Sequence, residues 1–517
     1  MTEILTATQT RAIEAAAIAS GAVTGLQLME RAGQGVIDAI FAQWPELAKT
    51  DQRAVVLCGP GNNGGDGFVA ARVLKEWGWE VDVFLYGAPE TLPPDAKVIY
   101  ARWLAMGDVG ALTAQTWDNT NFPGPYALLI DALFGIGLSR SVDLPLFAVR
   151  PVSQSAGHAY KVVAIDIPSG LCANTGRVVG RECVAADMTV TFHSAKAGHI
   201  LADGPEFCGE LRVIDLGLPQ PNWSDRLQPV AVQTIEKTVG LGKLSGHKYR
   251  HGHALILAGG VGHGGAARLA ARGALRIGAG LVTVACPPAA MIENAARLDA
   301  VMLRAVQDGA GLAQILTDAR INALCIGPGL GVDRAAQMLG VVLADAAVNP
   351  RPTVIDADGL TALAQNPRLF EMLHKDCVLT PHGGEFARMF PDIAAKLAAP
   401  VTTGAGYSKV DAVRTAAQRA GCVVLFKGAD TVIADPDGNI SVNAAVYDRA
   451  APWLATAGSG DVLAGFITGL LARGFSAMQS AETGAWLHVS CALSFGPGLI
   501  AEDLPEAVPA VFRGLGL

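Results

Sequence analysis

Short apolar runs that stop at a glycine turn and pass into a helical pattern recur along this chain, and no other feature restricts its fold as much. In the first half the runs are AVVLC, VDVFLY, ALLID, VVAID, MTVTF and LRVID, interleaved with helical stretches such as FVAARVLKEWG. In the second they are HALILAGG, LVTVACP, ALCIGPG, TVIDADG, CVLTPHGG and VVLFKGAD. Near-continuous apolar strands alternating with helices predict mostly parallel sheets covered on both faces, an α/β architecture. With 517 residues the chain exceeds what one hydrophobic core usually serves. PQPNWSDRLQP, residues 219–229, has three prolines and little apolar periodicity, so it is read as the linker. The expected domains are residues 1–225 and 226–517. The halves share a rhythm but not their motifs, so they are different domains and not a duplication.

Composition narrows the partners. A formal charge of -8 without clusters of Lys and Arg argues against nucleic acid. The nine cysteines are scattered and form no Cys-x-x-Cys pair, which fits a reducing cytosol better than a disulfide framework or zinc ribbon. The opening MTEILTATQTRAIEAAAIAS lacks a basic segment followed by an apolar core, and Arg268, Arg272 and Arg276 interrupt the later Ala-rich stretch. A soluble cytoplasmic enzyme acting on small molecules, without membrane or nucleic-acid partners and assembled as a homo-oligomer, is the expectation.

In such sheets ligands bind beyond the carboxyl ends of the strands. GPGNNGGDG, residues 59–67, places five glycines in nine positions there, around Asn62, Asn63 and Asp66. Glycine permits positive φ and close backbone approach, and the following helix offers unpaired N–H groups to a phosphate. Gly59, Gly61 and Gly64 fit the letters of a dinucleotide fingerprint, a match weakened because no acid ends the next strand, and no Lys-Ser/Thr pair follows, so this is not a P-loop. An Asn/Gly-rich turn without a ligand is the plainer alternative. Against it, three later strand ends put Asp131, then Asp166 with Ser169, then Lys196 on the same rim. An isolated acid at a strand end is often only a cap for the next helix, but three acids or hydroxyls with a lysine on one rim are harder to dismiss.

GPGNNGGDGFVAAR, DALFGIGL, IDIPSGLCANTGRVVG and TFHSAKAG, in this order, resemble the epimerase domain of bifunctional NAD(P)H-hydrate repair enzymes over roughly residues 10–220. The resemblance implies a Rossmann-like three-layer α/β/α domain. It also implies a potassium ion on Asn63, Asp131 and Ser169, with Asp166 and Lys196 as the acid/base pair. Loops of Asn62, Asn63, Gly64, Gly65 and Asp66, and of Gly135, Ile136, Gly137, Leu138, Ser139 and Arg140, would hold the hydrated nucleotide together with Asp166. Expulsion of the ring hydroxyl by the neighbouring nitrogen lone pair leaves a flat iminium, which water can re-enter from either face. Asp166 beside a cation and an ammonium is expected to ionise readily.

TAGSGDVLAGFITGLLARG, from Thr456, is the sharpest motif of the second half. Gly458, Ser459 and Gly460 open a helix whose N–H groups can hold a transferred phosphoryl group, and Asp461 stands where an acceptor hydroxyl would lose its proton. This resembles the anion hole and base of ribokinase-like folds. With LFKGADTVIA, CIGPGLG, LTPHGGEF and HALILAGGVGHGGAARLAARGALRIGAG, the stretch from about residue 240 onward resembles the ADP-dependent NAD(P)H-hydrate dehydratase domain. The resemblance implies substrate contacts at Ala266, Gly329, His382 and Asp461, and AMP contacts at Lys427, Gly428, Ala429, Asp430, Thr431 and Gly460. ADP would phosphorylate the ring hydroxyl, turning a poor leaving group into a good one. Mg2+ is expected on the nucleotide phosphates, although no compact acidic cluster marks its ligands. Two alternatives remain: a vitamin-precursor or sugar kinase, and a first half that only senses nucleotide. HKYRHGH, residues 247–253, is read as a basic entry loop, because no carboxylate or cysteine joins its histidines as a zinc site would need.

Overall fold

The computed structural model describes residues 4–49, 52–113, 126–142, 160–218, 228–229, 241–243, 246–346, 348–402, 404 and 406–517. The expected linker, residues 219–229, lies outside them but for residues 228–229. The chain divides into two compact units, Met1–Leu227 with Ala399–Ser408, and Gln228–Ala398 with Lys409–Leu517. The short segment Ala399–Ser408 thus groups with the first unit although it lies deep in the second half of the sequence.

In the first unit, helices α1 (Ala7–Ala19) and α2 (Gly25–Gln43) precede strand β1 (Arg53–Cys58) and helix α3 (Asn62–Glu76). Strands β2 (Glu80–Leu85), β3 (Val109–Ala111), β4 (Leu128–Ala132), β5 (Lys161–Ile165), β6 (Met188–Phe192) and β7 (Glu210–Ile214) complete one sheet. Its order is β3-β2-β1-β4-β5-β6-β7, and every pairing is parallel. All six strands expected from apolar runs form; β3 is an addition, too short to show a pattern. The chain leaves β1 in one direction and returns to β4 on its other side, which opens a crevice between those two strands. Leu57 pairs with Asp131, and Asp131 with Ala164, so the polar rim lies at one end of the sheet.

In the second unit the strands are β8 (Gln228–Pro229), β9 (His253–Leu257), β10 (Leu281–Cys286), β11 (Met302–Ala305), β12 (Ala323–Ile326), β13 (Thr353–Ile355), β14 (Cys377–Leu379), β15 (Val423–Phe426), β16 (Asp430–Ala434) and β17 (Ile440–Ala444). Their order is β8-β17-β16-β15-β14-β13-β12-β9-β10-β11. Only β15–β16 and β16–β17 pair antiparallel. The switch point falls between β9 and β12. Four helices matter for the site: α4 (Gly265–Arg276), α5 (Gly383–Met389), α6 (Lys409–Ala420) and α7 (Ser459–Ala472), followed by α8 (Ala477–Phe495).

Helix α7 is buried from Val462 to Ala472 because it lies against α4 at glycine contacts. A side chain at Gly465 would strike the Ala270 carbonyl, and one at Gly469 would meet Ile277 and the backbone of Ala274. Small residues let the two backbones approach, and that approach fixes the position of Asp461 one turn earlier. All nine cysteines are free and buried. Among the described residues no helix is long and apolar enough to cross a membrane.

Candidate active sites

Four of the five glycines after β1, all but Gly61, meet a need for space. None of Gly59, Gly61, Gly64, Gly65 and Gly67 has positive φ, contrary to the expectation of unusual backbone angles. A side chain at Gly59 would run into the Leu133 carbonyl, and one at Gly64 into the Gly59 carbonyl. The strand-to-helix turn therefore closes tightly against the turn after β4. Nor is Asn62–Asp66 a loop: α3 begins at Asn62, capped by Gly61, so these residues form the first turn of a helix. They consequently present N–H groups and side chains together.

A cavity of about 410 Å³ opens there, lined by Asn62, Asn63, Asp66, Gly135, Ile136, Gly137, Leu138, Asp166 and Lys196, with Thr10, Arg11 and Glu14 from α1. Gly64 and Gly65 are packing positions behind it, and Ser139 and Arg140 do not line it. Asp166 follows β5 with φ of 67°, a left-handed conformation unusual for a side-chain-bearing residue. Its Oδ2 accepts from the Ile136 N–H (2.9 Å), and its Oδ1 from Lys196 Nζ (3.0 Å) and Thr191 Oγ1 (3.1 Å). Burial opposes ionisation, but the Lys196 ammonium and the Ile136 N–H outweigh it and hold the carboxyl below its ordinary range.

Lys196 is 1% exposed, and its ammonium donates to Asp166, to Thr191 Oγ1 (2.7 Å) and to the Phe192 carbonyl (3.1 Å). All three protons have acceptors, so the lysine fixes Asp166 in place. His199 completes the support. Its Nε2 donates to the Asp166 carbonyl (2.8 Å) and its Nδ1 accepts from the Lys196 N–H (2.9 Å), which requires a neutral ring. Burial and Lys196 push its pKa down to about 4.

Asp131 is fully buried at the end of β4 and accepts from Ser169 Oγ (2.6 Å), the Ser169 N–H (2.8 Å) and the Leu133 N–H (3.2 Å). Burial lifts its pKa to about 6 against the pull of these donors. Asn63 Nδ2 is buried without a hydrogen-bond partner, while its Oδ1 and Asp166 Oδ2 lie 2.9 and 2.7 Å from the point where a Gly135 side chain would begin.

In the second unit, Gly458 caps α7 in the left-handed region (φ 87°), where glycine is required, and Asp461 occupies the first turn. Burial, then the nearby Asp356 carboxylate, raises Asp461 to about 6, with Lys427 pulling the other way. Lys427 is committed elsewhere: its Nζ lies 2.9 Å from Asp356 Oδ1 and 3.8 Å from Glu385 Oε2. Those two carboxylates overcome burial and raise the lysine's pKa.

A cavity of about 490 Å³ is lined by Lys427, Gly428, Ala429, Thr431 and Gly460, five of the six residues expected to contact AMP. The sixth, Asp430, is outside it, its carboxylate held 2.6 Å from Lys409 at the start of α6. Thr431 Oγ1 donates to the Gly428 carbonyl (2.8 Å) and shapes the loop. Apolar side chains of Leu454, Leu463 and Val489 line the same space, with Asn443 and His488. Ala266 and Gly329 are neighbours at the switch point, where a side chain at Gly329 would lie 3.3 Å from Ala266 Cβ. Gly327, Gly329 and Gly331 all have positive φ. His382 caps α5 and is largely exposed, its N–H donating to Glu385 Oε2 (2.9 Å). His253 lies in β9 with Nε2 2.7 Å from Thr283 Oγ1.

Sequence reasoning missed Glu14, Thr191, His199, Asp356, Glu385, Asn443 and His488. Asp356 had a signal, an acid at the end of the TVID run like Asp131 and Asp166. Glu385 lies within the LTPHGGEF motif. His199 and His488 had none, because a helical histidine reads as packing until its partners are known.

A family model described as NAD(P)H-hydrate dehydratase matches residues 254–503, and one described as YjeF-related protein N-terminus matches residues 25–198. The bifunctional NAD(P)H-hydrate repair enzyme of Moorella thermoacetica is 35% identical, with 99% of this chain and 97% of that one covered. Its counterpart in Coxiella burnetii is 34% identical over 98% of both. The NAD(P)H-hydrate epimerase of Roseobacter litoralis is 46% identical over 42% of this chain and 100% of its own length. Among solved structures, an ADP/ATP-dependent NAD(P)H-hydrate dehydratase from Bacillus subtilis, co-crystallised with ATP and Mg2+, is 26% identical, covering 56% of this chain and 99% of that one with a TM-score of 0.45.

Proposed function

The chain belongs to the family of bifunctional NAD(P)H-hydrate repair enzymes, and from that premise we propose that it is an isomerase and a lyase in one polypeptide. The first unit interconverts the R and S hydrates of NADH and NADPH. The second uses ADP to convert the S hydrate to NAD(P)H, AMP and phosphate. The observation that carries this reading is the contrast between two acids: Asp166, which lines the first cavity and is held ionised by Lys196, and Asp461, which follows the cavity-lining Gly460 in the first turn of α7 and has no ion-pair partner among the described residues.

In the first cavity, N–H groups at the start of α3 and the residues Asn62 and Asn63 bind and orient the nucleotide. Asp166, fixed by Ile136, Thr191 and Lys196, exchanges a proton with the ring hydroxyl or with water. Asn63, Asp131 and Ser169 would hold a potassium ion. Their oxygens suit a hard cation, and turning the Asn63 amide over would relieve its orphaned N–H by bringing oxygen to the same place. Such an ion supplies positive charge near the hydrated ring.

In the second unit, the N–H groups of Gly458, Ser459 and Gly460 receive the phosphoryl group, and Asp461 takes the proton of the acceptor hydroxyl. A carboxylate with a pKa near 6 is ionised at neutral pH yet basic enough for that task. Lys427, Gly428, Ala429, Thr431 and Gly460 line the nucleotide's cavity, and Asp430 acts through Lys409. Mg2+ would come with the nucleotide phosphates, where it would offset their charge.

The test supplies the S hydrate of NADH with ADP. AMP, phosphate and NADH are expected in equal amounts, whereas a stable phosphorylated nucleotide would indicate a kinase instead.

A further inference from the structure

Helix α1 reaches the first cavity because the strand before it, Ile4–Leu5, pairs in parallel with Ala195–Lys196. That pairing carries Thr10, Arg11 and Glu14 to the cavity wall, although no motif marks them. Arg11 is occupied, one of its guanidinium nitrogens donating to the Ile136 carbonyl (3.1 Å). Glu14 is different. Among the described residues its carboxyl has neither a hydrogen bond nor an ion pair, and the same holds for Asp66 beside it. Burial, and then the Asp166 carboxylate, raises the Glu14 pKa, against the pull of Lys196 and Arg11. Asp66 is raised further, by burial and then by Asp166 and Glu14. Three carboxyls thus share one cavity, and the cavity's one ammonium is spent on Asp166.

Inversion at the hydrated carbon needs two proton transfers on opposite faces of the ring. On one face the hydroxyl gains a proton and leaves as water, the C–O bond breaks, and the ring nitrogen's lone pair forms a C=N bond. On the other face water adds, a new C–O bond forms, the C=N electrons return to nitrogen, and the added water gives up its proton. One proton is donated and one removed, and nothing is oxidised or reduced. Asp166 cannot serve both faces of a bound ring, because three donors fix its two oxygens.

We propose that Glu14, entering from α1 while Asp166 enters from the sheet, is the second catalytic carboxyl of the first cavity and handles the proton on the ring face that Asp166 does not reach. The proposal rests on the epimerase reading of that cavity.

The test uses the full chain, each purified hydrate of NADH, heavy-oxygen water and a pH at which spontaneous inversion is slow. Glu14→Gln is expected to slow inversion about 100-fold or more, the range typical of a lost general acid or base. It should still exchange the ring hydroxyl with labelled water without inversion, on the face that Asp166 serves, and Glu14→Asp should recover part of the inversion rate. A denaturant-unfolding transition of the first unit matching that of the wild-type chain reports that this unit is folded, and ADP-dependent dehydration of the S hydrate reports the same of the second. Unchanged inversion in Glu14→Gln overturns the proposal. So does parallel loss of exchange and inversion, which marks a structural role. A wild-type chain unable to invert either hydrate would instead overturn the epimerase reading beneath it.

Discussion

Asp166 and Asp461 are both aspartates at the rims of mostly parallel sheets, yet they are prepared in opposite ways. Asp166 has a lysine 3.0 Å away and a pKa held below the ordinary value. Asp461 has a lysine in its neighbourhood too, but Asp356 has claimed it at 2.9 Å, and the carboxyl rises to about 6. The difference teaches that a nearby cation decides little until its own hydrogen bonds are counted. Lys196 spends its charge on the acid it positions, and Lys427 spends its charge on a different acid.

The comparison can be broken most severely at Asp461. Asp461→Asn removes the group placed to accept the hydroxyl proton, and dehydration should fall by about three orders of magnitude while R-to-S inversion persists, measured separately on each hydrate. Lys196→Met comes next. It leaves Asp166 buried without its counter-charge, so we expect inversion to drop about 100-fold and the first unit to lose roughly 3–5 kcal/mol, read from denaturant unfolding. If inversion survives Lys196→Met, the pairing is dispensable.

A subtler change exchanges one preparation for the other. In Asp356→Asn the carboxylate that raises Asp461 is gone and Lys427 keeps only the more distant Glu385, so the Asp461 pKa should fall from about 6. The acid limb of the dehydration pH profile, which follows ionisation of that base, should then move to lower pH, while the limb for inversion stays where it was. A limb that moves upward contradicts the assignment. The smallest effect is structural: Gly465→Ala wedges a methyl group against the Ala270 carbonyl and should cost about 1–3 kcal/mol, with a modest loss of dehydration as Asp461 shifts.

Much of this was legible in the sequence where the physics is local. Apolar runs located six strands in each unit, because a strand covered on both faces must be apolar throughout. Strand ends located Asp131, Asp166 and Lys196, since a charge there has few reasons to exist except a ligand or a cap. Long-range geometry was harder to read. Glu14 reaches its cavity only because Ile4–Leu5 pairs with a strand almost two hundred residues later. Asp430 follows a glycine turn suited to a nucleotide, as the first residue of β16, but Lys409 draws its carboxylate away, and no spacing in the sequence announces that pair. Backbone approach, expected of the glycines of GPGNNGGDG, accounts for Gly59 and Gly64, but positive φ proved not to be the reason for any of the five.

The central claim is that two differently prepared acids divide the work on the two hydrates, and one progress curve tests it. An equal mixture of R and S hydrates of NADH is given to the chain with ADP, and recovery of reduced-nicotinamide absorbance is followed at a pH where spontaneous inversion is slow. The wild-type chain should recover all of it in one phase. Asp166→Asn should recover the S half promptly and the rest only at the spontaneous rate. Full, single-phase recovery by Asp166→Asn would contradict the account.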